Sequence, residues 1–193
     1  MFVSLVHRLQ DLRLQAATAP VSRRGLRVTP VRLIAGLPAL GNVLYVPMRP
    51  GSSTVRELPR GLLVEAMQLA PLLQTRWLMA ASMITVEGPR EWIECMDREG
   101  CVCARLHLLP DTDYLAWDRL LAGDGPMPAA KPAHWLRHPC PASAQVLRFH
   151  ARRLAGLDVL GAEATAVVSA LSRQLAGRIA RAEAVPLQSM GGG

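Results

Sequence analysis

A strict two-residue alternation governs residues 101–109. Val102, Ala104, Leu106 and Leu108 fall on one side of the chain, and Cys101, Cys103, Arg105 and His107 fall on the other. That period belongs to a strand with one apolar face. Trp92–Met96 before it is a second short strand pattern, and Asp97-Arg98-Glu99-Gly100 between them is a turn, with Asp to start it and Gly to accept positive φ. An antiparallel hairpin is therefore the element around which the rest must be arranged. With Arg98-Glu99-Gly100 as a three-residue loop, Cys95 would face Cys103 and three sulfurs would share one hairpin face. The C-x5-C-x-C spacing does not match the closely spaced ligand pairs of a zinc site, and small buried thiols are the plainer reading.

The flanking segments predict a mixed architecture. Asn42–Val46 reads as a strand stopped by Pro47. Val31–Leu40 holds a short helical turn, and residues 52–60 are polar, an edge strand or loop. Leu62–Met83 is ambiguous; Pro71 splits it into two halves, both rich in helix formers. Pro110 to Asp113 ends the hairpin, with Asp111 or Thr112 capping a helix over Tyr114–Leu121. Residues 122–141 are Gly- and Pro-rich and read as a linker. Two helices are expected after it: Ala142–Ala155, ending at Gly156, and Leu160–Arg181, with an apolar stripe through Leu160, Ala164, Val167, Val168, Leu171, Leu175 and Ile179. Residues 1–16 have helical apolar spacing through Phe2, Leu5, Val6, Leu9 and Leu12.

The expected fold class is α+β: a mostly antiparallel sheet flanked by helices, with a helical C-terminal region. The expected organisation is an N-terminal amphipathic helix and connector over residues 1–24, an α+β domain over 25–122, a linker over 123–141 and a C-terminal helical hairpin over 142–185. One domain with an appendage, or two small ones, suits 193 residues. Half the residues are hydrophobic but only 4% are aromatic, so the core must be Leu, Val, Ala and Met. A largely disordered chain is excluded.

The net charge of +7 sets 22 basic residues against 15 acidic ones, and of the basic residues only Lys131 is Lys. The Arg residues are scattered rather than striped, which argues against nucleic-acid binding. Arg148, Arg152 and Arg153 with His150 read as one basic helix face. No apolar run approaches the ~20 residues of a membrane span, and Arg8 and Asp11 interrupt any leader-like stretch. Four cysteines do not make a disulfide scaffold, so the expected compartment is the cytoplasm.

Three stretches resemble the bacterial haemin-utilisation family, the HemS/ChuX-like cytoplasmic haem carriers and haem-degrading proteins. Leu37-Pro38-Ala39-Leu40-Gly41-Asn42-Val43 is similar to the family's "LP-x-LG-x-V" lead into its first strand. Trp77-Leu78-Met79-Ala80 resembles its buried tryptophan segment. Glu94–Leu121 resembles its hairpin "FFD-x-x-G-x-AVHK-I-Y-L" and the helix with "AF-x-x-L", with Asp97 and Gly100 at the turn and Ala116-Trp117-Asp118-Arg119-Leu120 in the helix. The likeness covers about residues 37–121, a single divergent repeat. It implies haem as ligand and a place in haem trafficking.

The departures weigh against catalysis. The family's His-Lys pair falls on Ala104-Arg105, and its following aromatic falls on His107. The family's proximal histidine has no counterpart, since no His occurs from residue 8 to 106. Another residue must hold the iron: His107, beside Arg105 as a propionate partner, or the cluster of His134, His138 and Cys140, where His134 and His138 are four apart and Cys140 precedes Pro141. The plain reading of that cluster is a linker that packs Trp135. No Ser-His-Asp order, phosphate loop or H-E-x-x-H motif is present. The alternative function is a protein-interaction module that kept the scaffold and lost the ligand, pairing as a homodimer or with a partner through the terminal helices.

Overall fold

A computed structural model describes residues 20–49, 59–86, 88–122, 125, 140–165 and 167–188. The expected helix over residues 1–16, and His134 and His138, lie outside the described residues. The fold is α+β. Eight strands form one sheet: β1 (Ser22–Arg27), β2 (Asn42–Pro47), β3 (Leu62–Val64), β4 (Trp77–Thr85), β5 (Gly88–Met96), β6 (Val102–His107), β7 (Gln145–Leu154) and β8 (Leu157–Ala164). Their order is β1-β4-β5-β6-β2-β7-β8-β3, antiparallel except for β3 beside β8. The helices are α1 (Pro30–Gly36), α2 (Tyr114–Leu121) and α3 (Ala170–Ala182).

Strand β2 explains the layering. Its central residues Val43, Leu44, Tyr45 and Val46 are all buried, so both faces of the sheet must be covered there. On one face α1, α2 and a 3-10 segment at Met67–Gln74 close a core of Leu33, Leu37, Leu72, Trp117, Ile93 and Leu106. Tyr45 anchors that core, edge-on to Phe149 at 6.0 Å and donating to the Gln68 carbonyl at 2.6 Å. On the other face α3 lays Ala176, Ile179 and Ala180 over Leu44, Val46 and Val146.

The β5–β6 hairpin forms as the alternation predicts. Asp97 Oδ1 accepts from the amides of Glu99 and Cys101, both at 2.9 Å. Its register differs from expectation at one point. A bulge between Cys95 and Met96 sets Cys95 opposite Ala104 and leaves Cys103 as the extra residue. The predicted pairing of Cys95 with Cys103 is therefore not formed, and Cys95 belongs to the core under the helices.

The C-terminal helical hairpin over 142–185 is corrected. Residues 145–164 are the antiparallel pair β7–β8, not helix. Ala155 (φ 49°) and Gly156 (φ 82°) are the two central residues of the turn, the pattern of a primed two-residue loop. Pairing with β2 and burial of Leu147, Phe149 and Leu160 in the main core override the helical propensity of the Ala- and Leu-rich run. The helix is confined to Ala170–Ala182, capped by Ser169 on the Ser172 amide at 3.1 Å. Leu171, expected on its buried stripe, is 66% exposed.

Leu109–Asp113 joins these layers. Thr112 Oγ1 accepts from the Leu109 amide at 2.9 Å and donates to the Asn42 carbonyl at 2.6 Å. Asp111 accepts from the Ser169 amide at 2.6 Å, which sets the start of α3. Asp113, rather than Asp111 or Thr112, caps α2 through the Ala116 amide at 2.8 Å. Thr112 is buried, so Thr112→Val takes this hydroxyl from the buried Leu109 amide and the part-buried Asn42 carbonyl. Chemical denaturation is expected to show a loss of about 1–3 kcal/mol, with Thr112→Ser retaining most of the wild-type stability.

Candidate functional site

The hairpin's polar face and the end of α3 meet in one group of charged side chains. Cross-strand pairing sets Trp92 beside His107 and Glu94 beside Arg105. Glu94 is almost fully buried. Its carboxylate takes Arg23 Nη1 at 3.0 Å and the Trp92 indole N–H at 3.4 Å. Arg105 Nε stands 3.3 Å away, an ion-pair distance without hydrogen-bond alignment. Arg105 turns its Nη1 to Glu183 Oε2 at 2.5 Å. A buried carboxylate is tolerable only when paired in this way.

His107 lies at the inner end of this row. Its ring stacks on Trp92, with centroids 6.2 Å apart and planes at 30°. Nε2 is buried and makes no hydrogen bond among the described residues; the Glu183 carboxylate is 3.8 Å from it. Burial, then the charges of Arg105 and Arg90, push the imidazole pKa down to about 3. At neutral pH the ring is uncharged, so its approach to Glu183 is not an ion pair. The Glu183 charge is engaged instead by Arg105. A neutral imidazole with a free nitrogen is a metal-ligand type, and an Arg beside it suits a carboxylate.

The structure thus brings Arg105 and His107 together on one face, as the alternation predicts. It does not bring Cys140 to them. Cys140 is exposed, and its carbonyl accepts from the Arg49 amide at 2.7 Å. Arg49 is five residues beyond Leu44, the β2 partner of His107, or about 16 Å at the rise of a strand. Glu94, Glu183 and Trp92 complete the group. The only sequence sign of them was a lone acid, Glu94, inside the apolar run Trp92–Met96.

Other clusters have structural accounts. The basic helix face expected at Arg148–Arg153 is on strand β7, and Glu65 partly neutralises it, taking His150 Nε2 at 3.1 Å and Arg152 Nε at 2.6 Å. Gly161 makes room for that pair, because a Cβ there would collide with His150 Nε2 and Glu65 Oε2. Asp97, Glu99 and Cys101 converge at the hairpin tip, where Asp97 serves the turn. On the opposite sheet face, a cavity of about 240 Å³ is lined by Ser22, Arg24, Ser82, Glu91, Trp117 and Leu121, below the size usual for a drug-sized ligand.

Fold and site together define an α+β sheet protein with a buried, ion-paired face that carries an imidazole. No protein-family model matches the chain, and no curated protein sequence matches it. Solved structures similar to it include the haem-degrading enzyme ChuS of Escherichia coli O157:H7, at 20% identity and TM-score 0.38 over 52% of this chain and 34% of that one. A second ChuS structure, described as an E. coli haem oxygenase, gives 19% and 0.40 over 57% and 37%. The haem-bound PhuS of Pseudomonas aeruginosa, a haem-binding protein, gives 19% and 0.35 over 62% and 39%. The chain spans little more than a third of the length of these proteins, and its site stands on its own residues. Among the described residues no helix is long and apolar enough to cross a membrane.

The depressed His107 pKa has a thermodynamic consequence. The unfolded chain takes up this proton near pH 6.5, whereas the folded chain resists it down to about 3. Stability therefore falls as pH drops below 6.5, by up to about 1.4 kcal/mol per pH unit from this group. Urea unfolding at pH 7.5 and 5.0 is expected to show wild type losing about 2 kcal/mol more than His107→Leu over that interval.

Proposed function

We propose that the chain is a divergent haem-binding or haem-trafficking protein of bacterial haemin utilisation, working in the cytoplasm as a carrier rather than a catalyst. The observation that carries this reading is His107: a buried, neutral imidazole whose Nε2 makes no hydrogen bond among the described residues, with Arg105 on the same strand face. The ordered resemblance over residues 37–121 supports it. The donor set fits haem, which when bound supplies an iron that takes a neutral imidazole and propionates that take a guanidinium. In this reading His107 is the ligand, Arg105 holds a propionate, and Trp92 orients the imidazole by stacking. His134, His138 and Cys140 are the competing ligand source.

Titration of the purified protein with haemin tests this. A shifted Soret band at micromolar protein is expected, lost in His107→Ala and kept in Cys140→Ala and in His134→Ala/His138→Ala, with circular dichroism confirming that each variant folds. No shifted band in the wild type removes the haem reading, and loss in the Cys140 or His134/His138 variants moves the ligand to the second cluster.

A second reading has its own observation: Arg105 is already engaged by Glu94 and Glu183, as in a scaffold that has lost its ligand. Val167 at 85% exposure and Leu171 at 66% leave an apolar patch at the start of α3. On this reading light scattering gives a homodimer that Leu171→Glu dissociates, and a monomer at all concentrations counts against it.

A further inference from the structure

Local costs gather where α3 ends. Glu183 is the C-cap residue, so its carboxylate stands at the negative end of the helix, where an acid is disfavoured. The next residue, Ala184, is left-handed at φ 55°, a conformation that glycine usually supplies at this position. The Val185 amide bonds back to the Ala180 carbonyl at 3.0 Å and the Ala184 amide to the Arg181 carbonyl at 3.1 Å, so the turn is fully formed around a strained alanine. Strain of this kind persists only where its surroundings impose it. Three contacts hold the turn: the Glu183 carboxylate, with one oxygen on Arg105 Nη1 and the other facing His107 Nε2, Val185 against the core under α3, and the Pro186 carbonyl on the Ala144 amide.

We propose that Glu183 is an internal stand-in for the carboxylate of the ligand: it fills the Arg105 site in the empty protein and gives way, with the C-terminal turn of α3, when a carboxylate-bearing ligand arrives. This rests on the reading of Arg105 and His107 as the haem site. It names what that site selects, a planar metal-bearing ligand with a carboxylate that can replace Glu183 on Arg105. It also accounts for a His107 Nε2 that is shut from solvent and yet unbonded: the group that covers it is the one that leaves. Removing the charge of Glu183 frees Arg105. Relieving the strain at Ala184 holds the turn closed more firmly.

Three proteins and two probes decide the matter: wild type, Glu183→Gln and Ala184→Gly, titrated with haemin and with haemin dimethyl ester, which keeps the iron and lacks both free carboxylates. Haemin is expected to bind Glu183→Gln about tenfold more tightly than wild type, and Ala184→Gly about two- to fivefold more weakly, while Ala184→Gly raises the melting temperature of the empty protein. With the ester the gain in Glu183→Gln falls below about twofold. Equal haemin affinity in all three proteins, or weaker binding by Glu183→Gln, overturns the exchange and leaves the haem reading standing. An equal gain with the ester shows that Glu183 only shields His107 and overturns the carboxylate selection. No Soret shift in any of the three removes the haem reading, and the exchange with it.

Discussion

The carboxylate of Glu94 sets the terms for half the molecule. It sits on a central strand with almost no access to water, and an ionised group in that position must be compensated by opposite charge and hydrogen bonds. The compensation comes from three strands: Arg23 on β1, Trp92 on its own strand and Arg105 on β6. Edge strand β1 is thereby tied to the middle of the sheet by a side chain that crosses β4. A slip of one residue in β5 would turn Glu94 toward the core under α1 and α2, and one in β6 would turn Arg105 and His107 there. The hydrophobic faces make the sheet possible, and the ion pairs make its register costly to change.

The same network couples sheet to helix. Arg105 has two acidic partners on different elements, Glu94 beneath it and Glu183 at the end of α3. The apolar contacts of α3 are Ala176, Ile179 and Ala180, with Leu175 beside them, over Leu44, Val46 and Val146. Its N-terminus is held by Asp111 and its far end by the bonding of the 186–188 segment to Ala144. Between these anchors, Glu183 brings the end of α3 onto the hairpin face through Arg105. A charged latch beside this apolar interface gives the end of the helix a position that small free energies can bias.

How far the sequence revealed this follows from which interactions are local. The β5–β6 hairpin was legible because alternation and an Asp-x-x-Gly turn lie within twenty residues, and Arg105 and His107 fell on the same face for that reason. The bulge at Cys95 was not, since nothing in the spacing shows that one strand carries an extra residue. The β7–β8 hairpin was misread because Ala155-Gly156 looks like a helix end, whereas its meaning as a turn depends on β2 pairing with β7 about 100 residues away. Strand β4 was hidden in an ambiguous run for the same reason: Trp77–Thr85 takes its identity from β1 and β5 on either side. The helix expected from Leu160 begins at Ala170 because residues 157–164 pair with β7 instead.

The site shows the same division. Arg105 drew notice from a motif, and Glu183, 78 residues later, could not be joined to it by any pattern. That separation has a physical use. A carboxylate on the same strand as Arg105 would be fixed by the sheet's pleat and could not leave. One carried at the strained turn after a helix can withdraw while the sheet, held by Glu94, stays as it is. The two acids on Arg105 therefore play opposite parts: Glu94 makes the guanidinium a permanent feature of the face, and Glu183 makes its outer side available to something else.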